Sequence, residues 1–390
     1  MTQFSDQIKK PSVCIVHDWL VTMRGGEKVL EALAGLFPEA PIYTLFATRK
    51  NLSPDLQKRK IITSFLQWVP GISKFYRWLL PLFPAAIKTL NVQNYDVVIS
   101  SSHCVAKSIP VKKDIPHICY CYTPMRYLWG FQKEYLGEFP IFIQKLIELY
   151  FKFLKRWDIK TAEKVTAFIT SSQCVAERIR KVYGRAASII NPPVDVPPEK
   201  IAKTKSDQEA YFLIVSALVP YKRIDIAIEA FNQLKLPLRI VGDGPLRARL
   251  QTMIQFDKIQ LDGWVSQDML WERYANCRAF VFPAEEDFGI VPIEAQMFGK
   301  PVIAYGKGGI DESVLAYNET GIKRPLNQST GLFFYEQSAS ALIEQIRKFE
   351  RLTFDSQFIK THAEHFRLER FQKEITCFMK KFLVPTCSAL

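Results

Sequence analysis

Residues 285–294 read EEDFGIVPIE and hold two glutamates, Glu286 and Glu294, with seven residues between them. The stretch begins where a β-branched and aromatic run ends, and it leads into a segment typical of a helix start. We therefore expect one carboxylate on the loop after a strand and the other in the first turns of the following helix. In open α/β sheets, ligands bind at these carboxyl ends of strands. The backbone N–H groups of Gly289 and Ile290, at the helix N-terminus, can hold a diphosphate there.

Two acids and an anion-binding helix start in one short segment indicate a sugar nucleotide, with phosphates on the amides and hydroxyls on the carboxylates. The alternative is a solvated acidic turn that caps a helix. For an isolated pair of glutamates at this spacing the alternative is favoured, because the pattern is common. The neighbouring motifs change that balance.

Length and composition are those of an ordinary enzyme. The 390 residues predict two domains, or three, with sizeable cores. Apolar residues make up 48% and charged residues 23%, which is usual for a soluble globular protein. No run of about eighteen apolar residues occurs, so we expect no transmembrane helix. The N-terminus lacks the apolar region of a signal peptide, and a cytoplasmic location is the default expectation.

The net charge of +13 is concentrated in the first half of the chain. Residues 1–196 carry 27 Lys and Arg against 15 Asp and Glu, whereas residues 197–390 carry 25 against 24. This asymmetry predicts an anionic partner for the first domain, either nucleic acid or an acidic membrane.

The eight cysteines are scattered, without C-x-x-C pairs or zinc spacing, so we predict reduced thiols and no metal site.

Short apolar strands alternate with helical patterns in both halves, which predicts two doubly wound parallel sheets. The predicted strands are 13–16, 42–46, 97–101, 117–122 and 167–171, then 211–215, 238–241, 259–261, 279–282 and 301–305. The proline-rich segment 191–199 cannot be helix or central strand, so it is the predicted linker. We predict Rossmann-like domains at 1–196 and 197–370 and a terminal helix at 371–390.

Residues 65–90 and 139–156 combine Trp, Phe, Tyr and Leu with Lys and Arg. Aromatic and cationic residues on one helix suit a membrane interface. The alternative is internal packing with lysines that reach out to solvent. The composition leaves both interpretations open, and our hypothesis is that the first domain lies on anionic lipid.

Further candidate ligand groups follow strands of the second half. Lys222 and Arg223 follow the strand 211–215, where two cations can hold a diphosphate and stabilise it as it leaves. Gly244, in the loop Gly-Asp-Gly-Pro after the next strand, allows close approach to a flat base. Trp264 and Val265 follow another strand and could flank that base.

These motifs, in this order, resemble the nucleotide-binding half of the retaining glycosyltransferases of family four, which have the GT-B fold. The first half resembles the branch that includes bacterial mannosyltransferases of O-antigen and exopolysaccharide synthesis. The similarity runs over roughly residues 12–315. The segments that carry it are VHDWLVTMRGGEKVLEAL (16–33), YDVVISSSHCVAK (95–107), YCYTPMRYLWG (120–130), SSQCVAERIRKVYG (171–184), SALVPYKRIDIAIEAF (216–231), VGDGP (241–245), GWVS (263–266) and FPAEEDFGIVPIEAQMFGKPVIAYGKGG (282–309).

The resemblance implies a role for each candidate residue. Glu286 would contact the donor sugar, Glu294 the ribose, and Lys222 the diphosphate. The remaining implied assignments are Arg223 beside Lys222, Gly289 and Ile290 at the β-phosphate, Gly25 and Gly26 along the diphosphate, and His103 by the donor sugar. The two domains would face a central cleft.

The resemblance also implies front-face transfer, in which the leaving phosphate takes the acceptor proton, without a metal or other cofactor. The implied donor is GDP-mannose and the implied acceptor a lipid-linked glycan, at the inner face of the membrane. The sequence departs from the family pattern at Ala217, where many relatives have Arg, and at Tyr122, where the usual residue is His. The second departure puts acceptor or sugar contacts at that loop in doubt.

Two other classes of enzyme and one binding protein remain as alternatives. They are a sugar-nucleotide epimerase of the same fold, a transferase that uses UDP-sugars, and a nucleic-acid-binding protein. The last ranks lowest, because the basic excess accompanies aromatic helices rather than a nucleic-acid module.

Overall fold

The computed structural model describes residues 11–130, 141–201, 211–318 and 324–383. They form two compact units. One comprises the described residues up to Asn191 together with those from Phe371 onward, and the other comprises Pro192–Arg370. Both are Rossmann-like α/β domains built on a parallel sheet, so the predicted fold class is confirmed.

The N-terminal unit contains a seven-stranded sheet. Its strands are β1 (Val13–His17), β2 (Ile42–Thr44), β3 (Ile61–Thr63), β4 (Val97–Ser102), β5 (His117–Cys121), β6 (Ala167–Thr170) and β7 (Ala187–Ile189). Their order is β3-β2-β1-β4-β5-β6-β7, and the pairs are parallel. Its helices before the linker are α1 (Gly25–Leu36), α2 (Pro54–Lys58), α3 (Ile72–Phe75), α4 (Phe83–Lys88), α5 (Arg126–Trp129), α6 (Ile141–Ala162) and α7 (Gln173–Tyr183).

The C-terminal unit contains a six-stranded sheet. Its strands are β8 (Tyr211–Val215), β9 (Leu238–Val241), β10 (Ile259–Gly263), β11 (Cys277–Phe282), β12 (Val302–Tyr305) and β13 (Gly331–Phe334). Their order is β10-β9-β8-β11-β12-β13, again with parallel pairs. Its helices are α8 (Pro198–Ile201), α9 (Ile224–Leu234), α10 (Arg247–Met253), α11 (Gln267–Asn276), α12 (Ile290–Met297), α13 (Ile310–Ser313), α14 (Ala339–Phe349) and α15 (Ser356–Glu364), and α16 (Leu368–Leu383) follows.

Short 3-10 turns complete the described elements, at Arg49–Asn51, Phe65–Trp68, Tyr76–Leu82, Ala106–Ser108, Pro220–Lys222 and Leu326–Gln328.

Each sheet reverses its strand order at one place. In the N-terminal unit β1 lies between β2 and β4, and in the C-terminal unit β8 lies between β9 and β11. Loops that leave two such neighbouring strands diverge, which opens a crevice at the carboxyl ends of the strands. The residues that follow β1, β4, β8 and β11 therefore line the two crevices.

Both faces of the C-terminal sheet are covered by apolar clusters. Along β8, Phe212 and Ile214 belong to one cluster, and Tyr211 and Leu213 belong to the other. Successive strand residues point to opposite faces, so continuous burial along β8 means that helices cover both sides.

The predicted linker contains the start of a helix, which the sequence analysis did not expect. We expected no helix within 191–199, but α8 begins at Pro198. Proline is compatible with the first turn of a helix, because the N–H that it lacks would have no partner there. Val194 and Val196 are buried in the C-terminal unit, and the Val194 N–H donates to the carbonyl of Phe366 at 2.8 Å.

Helix α16 supplies core residues to the N-terminal unit. Phe371, Ile375 and Met379 are buried on one face of this helix. The ring of Phe371 meets Tyr120 on β5 edge-on, with ring centroids 6.0 Å apart. The core of this unit is thus completed by residues from the opposite end of the chain.

The two aromatic and cationic segments each have an inner and an outer face. In 65–90, Leu66 and Phe83 are buried, whereas Trp68 and Trp78 are 83% and 67% exposed. In α6, Phe151 and Leu154 are buried, whereas Leu149 and Phe153 are exposed. Phe139 and Pro140 of the second segment lie outside the described residues. Internal packing therefore accounts for one face of each segment only.

The other expectations from composition concern membranes, metals and thiols. Within the described ranges, none of the helices combines the length and apolar character that a membrane span requires. The same residues contain no group of three or more His, Cys, Asp or Glu placed to hold a metal ion. The cysteines in the described part of the chain are free thiols, and Cys387 lies outside it.

Candidate functional site

The switch point of the C-terminal sheet brings Lys222 and Glu286 into direct contact. Lys222 ends the turn Pro220–Lys222 after β8, and Glu286 lies on the loop after β11. The Lys222 ammonium forms an ion pair with Glu286 Oε1, and both side chains are largely buried. Two residues that the sequence separates by 64 positions are thus neighbours. Each charge neutralises the other.

Glycines of the loop after β12 hold the main chain of Glu286. The Gly309 N–H donates to the carbonyl of Glu286 at 2.8 Å. Gly308 has a φ of +92°, and a Cβ at this position would overlap the backbone of Glu286. Glycine is required here both for the left-handed conformation and for the close approach.

Helix α12 begins beside this loop. Gly289 precedes the helix with a φ of +92°, and Ile290 is its first residue. The N–H groups of a first helical turn have no partner within the helix and carry partial positive charge. The expected helix start is therefore present three residues after Glu286, with Gly289 and Ile290 at its N-terminus.

Glu294 lies on the inner side of α12. The residue is 4% exposed, and its Oε2 accepts a hydrogen bond from the Tyr274 hydroxyl at 2.9 Å. Burial, and secondarily the Glu294 charge, raise the pKa of Tyr274 well above its usual value. Tyr274 therefore stays protonated and remains a donor. Its ring stacks on Phe298 with centroids 5.8 Å apart, so Glu294 is fixed against an aromatic cluster.

Arg223 is occupied by protein partners. Its backbone has a φ of +51°, and its guanidinium pairs with Asp225 at 3.2 Å and donates to Gln337 Oε1 at 3.2 Å. Gln337 in turn donates to the carbonyl of Pro283, at the end of β11. Arg223 therefore braces the Lys222 turn against the loop that carries Glu286. In this conformation it does not stand open to a diphosphate.

The predicted base-binding loops lie side by side. A Cβ at Gly242 would overlap the Ser216 carbonyl, and a Cβ at Gly244 would lie 2.5 Å from the Leu218 carbonyl oxygen. Gly242 and Gly244 are therefore needed because the backbone of the loop after β8 packs against them. Trp264 is largely exposed beyond β10, and Val265 follows it with partial exposure.

The switch point of the N-terminal sheet is organised around Asp18, which follows β1. This carboxylate is fully buried and accepts hydrogen bonds from four consecutive backbone N–H groups after β4. The donors, at 2.6–2.9 Å, are His103, Cys104, Val105 and Ala106. Asp18 Oδ2 also lies 3.1 Å from Nδ1 of His103.

His103 is held in one orientation by these contacts. Its ring meets Trp19 edge-on, with centroids 4.5 Å apart, and its side chain is 31% exposed. Because Nδ1 faces Asp18, Nε2 is the ring nitrogen that a substrate would meet. Asp18 and Trp19 orient the histidine that the sequence singled out.

Gly25 and Gly26 form the first turn of α1, after β1. The carbonyl of Gly26 accepts a hydrogen bond from the Tyr122 hydroxyl at 2.7 Å. Tyr122 therefore belongs to the immediate surroundings of the glycine pair, although its position departs from the family pattern.

Comparisons of sequence and of fold identify the family of the chain. Residues 196–364 match the family described as "Glycosyl transferases group 1", and residues 23–196 match "Glycosyltransferase Family 4". Together the two matches run from residue 23 to residue 364 and cover all of the strands except β1.

The chain belongs to the group 1, family-four glycosyltransferases.

Among curated relatives of this glycosyltransferase, O-antigen chain mannosyltransferase C of Escherichia coli is 30% identical over 31% of this chain and 34% of that protein. A GDP-mannose-dependent alpha-(1-6)-phosphatidylinositol monomannoside mannosyltransferase of Mycobacterium tuberculosis is 28% identical over 40% and 48%. The chain spans between 19% and 34% of the length of the first curated relatives that it matches. The match to mannosyltransferases of O-antigen synthesis supports the predicted branch.

The fold comparison covers nearly the whole glycosyltransferase. The apo form of the lipopolysaccharide outer core galactosyltransferase WaaB is similar with a TM-score of 0.62 over 94% of this chain and 99% of that one, at 15% identity. This likeness identifies the fold as GT-B.

The sequence analysis did not assign a role to two residues that hold the site residues of the glycosyltransferase in place. The contacts of Asp18 and Tyr274 could not be predicted, since their partners lie 85 and 20 residues away, and Tyr274 belongs to none of the quoted motifs. A signal existed only for Asp18, which directly follows the first predicted strand at the expected ligand edge.

Proposed function

We propose that this glycosyltransferase moves mannose from GDP-mannose to a lipid-linked or polysaccharide-precursor acceptor with retention of the anomeric configuration. The observation that carries the proposal is the contact between Lys222 and Glu286 at the C-terminal switch point, beside the start of α12. A sugar nucleotide needs a cation and N–H groups for its diphosphate and an acceptor for its sugar hydroxyls. These three kinds of group adjoin one another here.

The proposed reaction forms a bond between the acceptor hydroxyl oxygen and C1 of the sugar, on the face from which the diphosphate leaves. The bond between C1 and the phosphate oxygen breaks, and the hydroxyl proton passes to the leaving phosphate. Lys222 stabilises the charge that develops on the diphosphate, so the proposed chemistry requires no metal or other cofactor. Gly289 and Ile290 would bind the β-phosphate, and Glu286 the sugar hydroxyls.

The remaining assignments follow the resemblance. We assign Glu294 to the ribose, Gly244, Trp264 and Val265 to the base, and Arg223 to a supporting role beside Lys222. In the N-terminal unit we assign His103 to the donor sugar and Gly25 and Gly26 to the diphosphate. GDP-mannose is supported by the similarity to the GDP-mannose-dependent mycobacterial enzyme, and a polysaccharide acceptor by the similarity to the O-antigen enzyme.

Thermal unfolding with a panel of nucleotides tests the donor. The panel contains GDP, UDP and ADP and their mannose, glucose and N-acetylglucosamine conjugates. A ligand that binds only the folded protein raises the midpoint according to its concentration and affinity. We expect a selective rise with GDP and GDP-mannose. A selective rise with UDP and a UDP-sugar would replace the donor and keep the reaction class, and no rise with any nucleotide would contradict the site.

Product analysis separates transfer from epimerisation. Incubation with the donor alone should leave the sugar unchanged, whereas addition of a lipid-linked acceptor should yield a glycoside whose anomeric configuration equals that of the donor. An isomeric free sugar nucleotide would identify an epimerase, and an inverted glycoside would exclude front-face transfer.

We propose further that the N-terminal unit binds anionic lipid through an aromatic–cationic face, as a protein with a lipid-linked acceptor requires. We define this face by four exposed apolar residues and four exposed cations. They are Trp68, Trp78, Leu149 and Phe153, with Lys74, Arg77, Lys145 and Lys152.

The two segments of this face adjoin each other. The Tyr150 hydroxyl of α6 donates to the Pro81 carbonyl in the turn Tyr76–Leu82 at 3.2 Å. Exposed tryptophans suit the headgroup region of a bilayer, and nearby Lys and Arg are attracted to anionic headgroups. The surface chemistry thus favours an acidic bilayer, at the inner membrane face.

Vesicle co-sedimentation tests the lipid proposal. We expect binding to vesicles that contain phosphatidylglycerol and weaker binding to vesicles of phosphatidylcholine alone. The double variant Trp78→Ser, Leu149→Ser should reduce binding about tenfold. The matched control is Tyr335→Ser, which removes an equally exposed aromatic residue from the C-terminal unit. Equal binding to both kinds of vesicle would contradict the proposal.

A further inference from the structure

Three side chains form a row of hydrogen bonds at the carboxyl ends of adjacent strands in the N-terminal sheet. His17 ends β1, Ser101 lies near the end of β4, and Tyr122 follows β5. His17 Nδ1 lies 3.0 Å from Ser101 Oγ, and Ser101 Oγ lies 2.7 Å from the Tyr122 hydroxyl. The row ends at the carbonyl of Gly26, which accepts from Tyr122 at 2.7 Å.

The donors and acceptors of this row can be arranged in only one direction. A carbonyl only accepts, so the single proton of the Tyr122 hydroxyl points to Gly26. Ser101 must then donate to the Tyr122 oxygen, and its own oxygen must accept from His17. Nδ1 of His17 therefore carries a proton.

The state of His17 agrees with this direction. The residue is fully buried, and burial lowers its pKa from 6.5 to about 4, so the ring is neutral near pH 7. A neutral ring has one N–H, which the row places on Nδ1. Nε2 is then a bare acceptor, and it has no hydrogen-bond partner among the described residues.

The row acts on the first turn of α1 through Gly26. Besides the hydrogen bond, the Tyr122 ring lies 3.6 Å from the position that a Cβ on Gly26 would occupy. The ring thus covers the open side of the glycine, and the hydroxyl fixes its carbonyl. Without a side chain of their own, Gly25 and Gly26 have more conformational freedom than other residues. The contact from Tyr122 therefore adds a restraint from outside the helix to the capping bond between the Arg24 N–H and Glu27.

We propose that Tyr122 is a positioning residue for the donor. It holds the Gly25–Gly26 turn so that the N–H groups of the turn are preorganised for the diphosphate. This inference rests on the proposed function, which puts the diphosphate at the two glycines. It also accounts for the departure from the family pattern, since the Tyr122 hydroxyl serves the glycine turn.

The test compares Tyr122→Phe with Tyr120→Phe. Tyr120 lies two residues earlier, and its hydroxyl donates to the Ile190 carbonyl at 2.8 Å. Each variant keeps the ring and removes one short hydrogen bond to a carbonyl, so both should lower the thermal midpoint by a similar amount. Only Tyr122→Phe should raise the donor KM, by about fivefold, with kcat changed less than twofold.

The row gives a second signature. Ser101→Ala interrupts it one step earlier and should raise the donor KM by a smaller factor, about twofold. Because both residues act through the same row, Ser101→Ala should add nothing measurable to Tyr122→Phe in the double variant. Equal KM values for the wild type and Tyr122→Phe would overturn the inference.

Amide hydrogen exchange of the free protein tests the positioning role of Tyr122 without a substrate, and so independently of the proposed function. Exchange at Lys28–Leu30, the first amides with hydrogen-bond partners in helix α1, should be several-fold faster in Tyr122→Phe and unchanged in Tyr120→Phe, whatever the substrate is. Unchanged exchange in both variants would overturn the positioning role. Faster exchange in a protein that transfers no sugar would overturn the proposed function and leave the positioning role intact.

Discussion

The two switch points share one strand order but hold charge in different ways. In the C-terminal unit, Lys222 and Glu286 neutralise each other through side chains alone. In the N-terminal unit, the Asp18 carboxylate is saturated by four backbone N–H groups and by His103. A side-chain pair can exchange partners with a ligand, whereas a backbone-bound carboxylate cannot leave without opening its loop. The first site suits ligand exchange, and the second is a rigid frame.

Acid should have the largest effect and should destabilise the N-terminal unit, because this unit contains two neutral buried histidines. Burial lowers the pKa of His17 to about 4 and that of His117 to about 3, from 6.5. The unfolded chain binds protons below pH 6.5 while the folded unit does not. The contribution of these two histidines to the free energy of unfolding is therefore fully present above pH 6.5 and is lost as the pH falls towards 4. At about 1.4 kcal/mol per pKa unit, the loss is roughly 6 kcal/mol.

Hydrogen exchange with mass spectrometry between pH 7 and 4 measures this loss for each unit separately. We expect the N-terminal sheet to open first. His117→Gln, which can still donate to Ser100, should reduce the pH dependence, whereas His365→Gln at an exposed position should not. Equal acid sensitivity of the two sheets would contradict the prediction.

Asp18→Asn tests the rigid frame itself. The amide replaces an acceptor by a donor that faces backbone N–H groups, so we expect a loss of about 3 kcal/mol in the free energy of unfolding. Asp96→Asn is the control, because this exposed carboxylate accepts one backbone N–H, from Ser12, and one hydroxyl. Thermal unfolding should show a large fall in midpoint for Asp18→Asn alone. Equal midpoints would mean that Asp18 does not support the loop.

Glu286→Gln tests whether Lys222 exchanges its carboxylate partner for a ligand. Transfer should fall about 100-fold, or roughly 2.7 kcal/mol, because the sugar loses a charged acceptor. The affinity for GDP should instead rise about threefold, since Lys222 no longer has a carboxylate to release. Glu285→Gln is the matched control, because Glu285 is exposed and pairs with Lys307 at 3.2 Å. Calorimetry that finds unchanged GDP affinity would contradict the exchange of partners.

The sequence was most informative where the groups of one site are close together in the chain. Gly289 and Ile290 lie between Glu286 and Glu294, so strand, loop and helix could be predicted from one segment. The same segment could not indicate that Glu294 faces Tyr274, or that Arg223 is engaged by Asp225 and Gln337. Those contacts depend on the rotamers and loop conformations that packing selects.

The N-terminal frame was less predictable for a related reason. Its contacts join β1 to β4 and α1 to β5 across 84 to 96 residues. Strand order decides which of these residues meet, and periodicity in a single chain does not determine strand order. His103 and Asp18 each follow a predicted strand, but the sequence could not show that the two residues contact each other.

Helix α16 has a consequence for synthesis of the protein. Phe371, Ile375 and Met379 complete the core that contains β5, although they are translated after the whole C-terminal sheet. On the ribosome, the C-terminal sheet is therefore complete before the N-terminal unit can close its core. We infer that part of the apolar core of the N-terminal sheet stays uncovered while Pro192–Arg370 is being translated. That interval is the period in which the nascent chain most needs protection from aggregation.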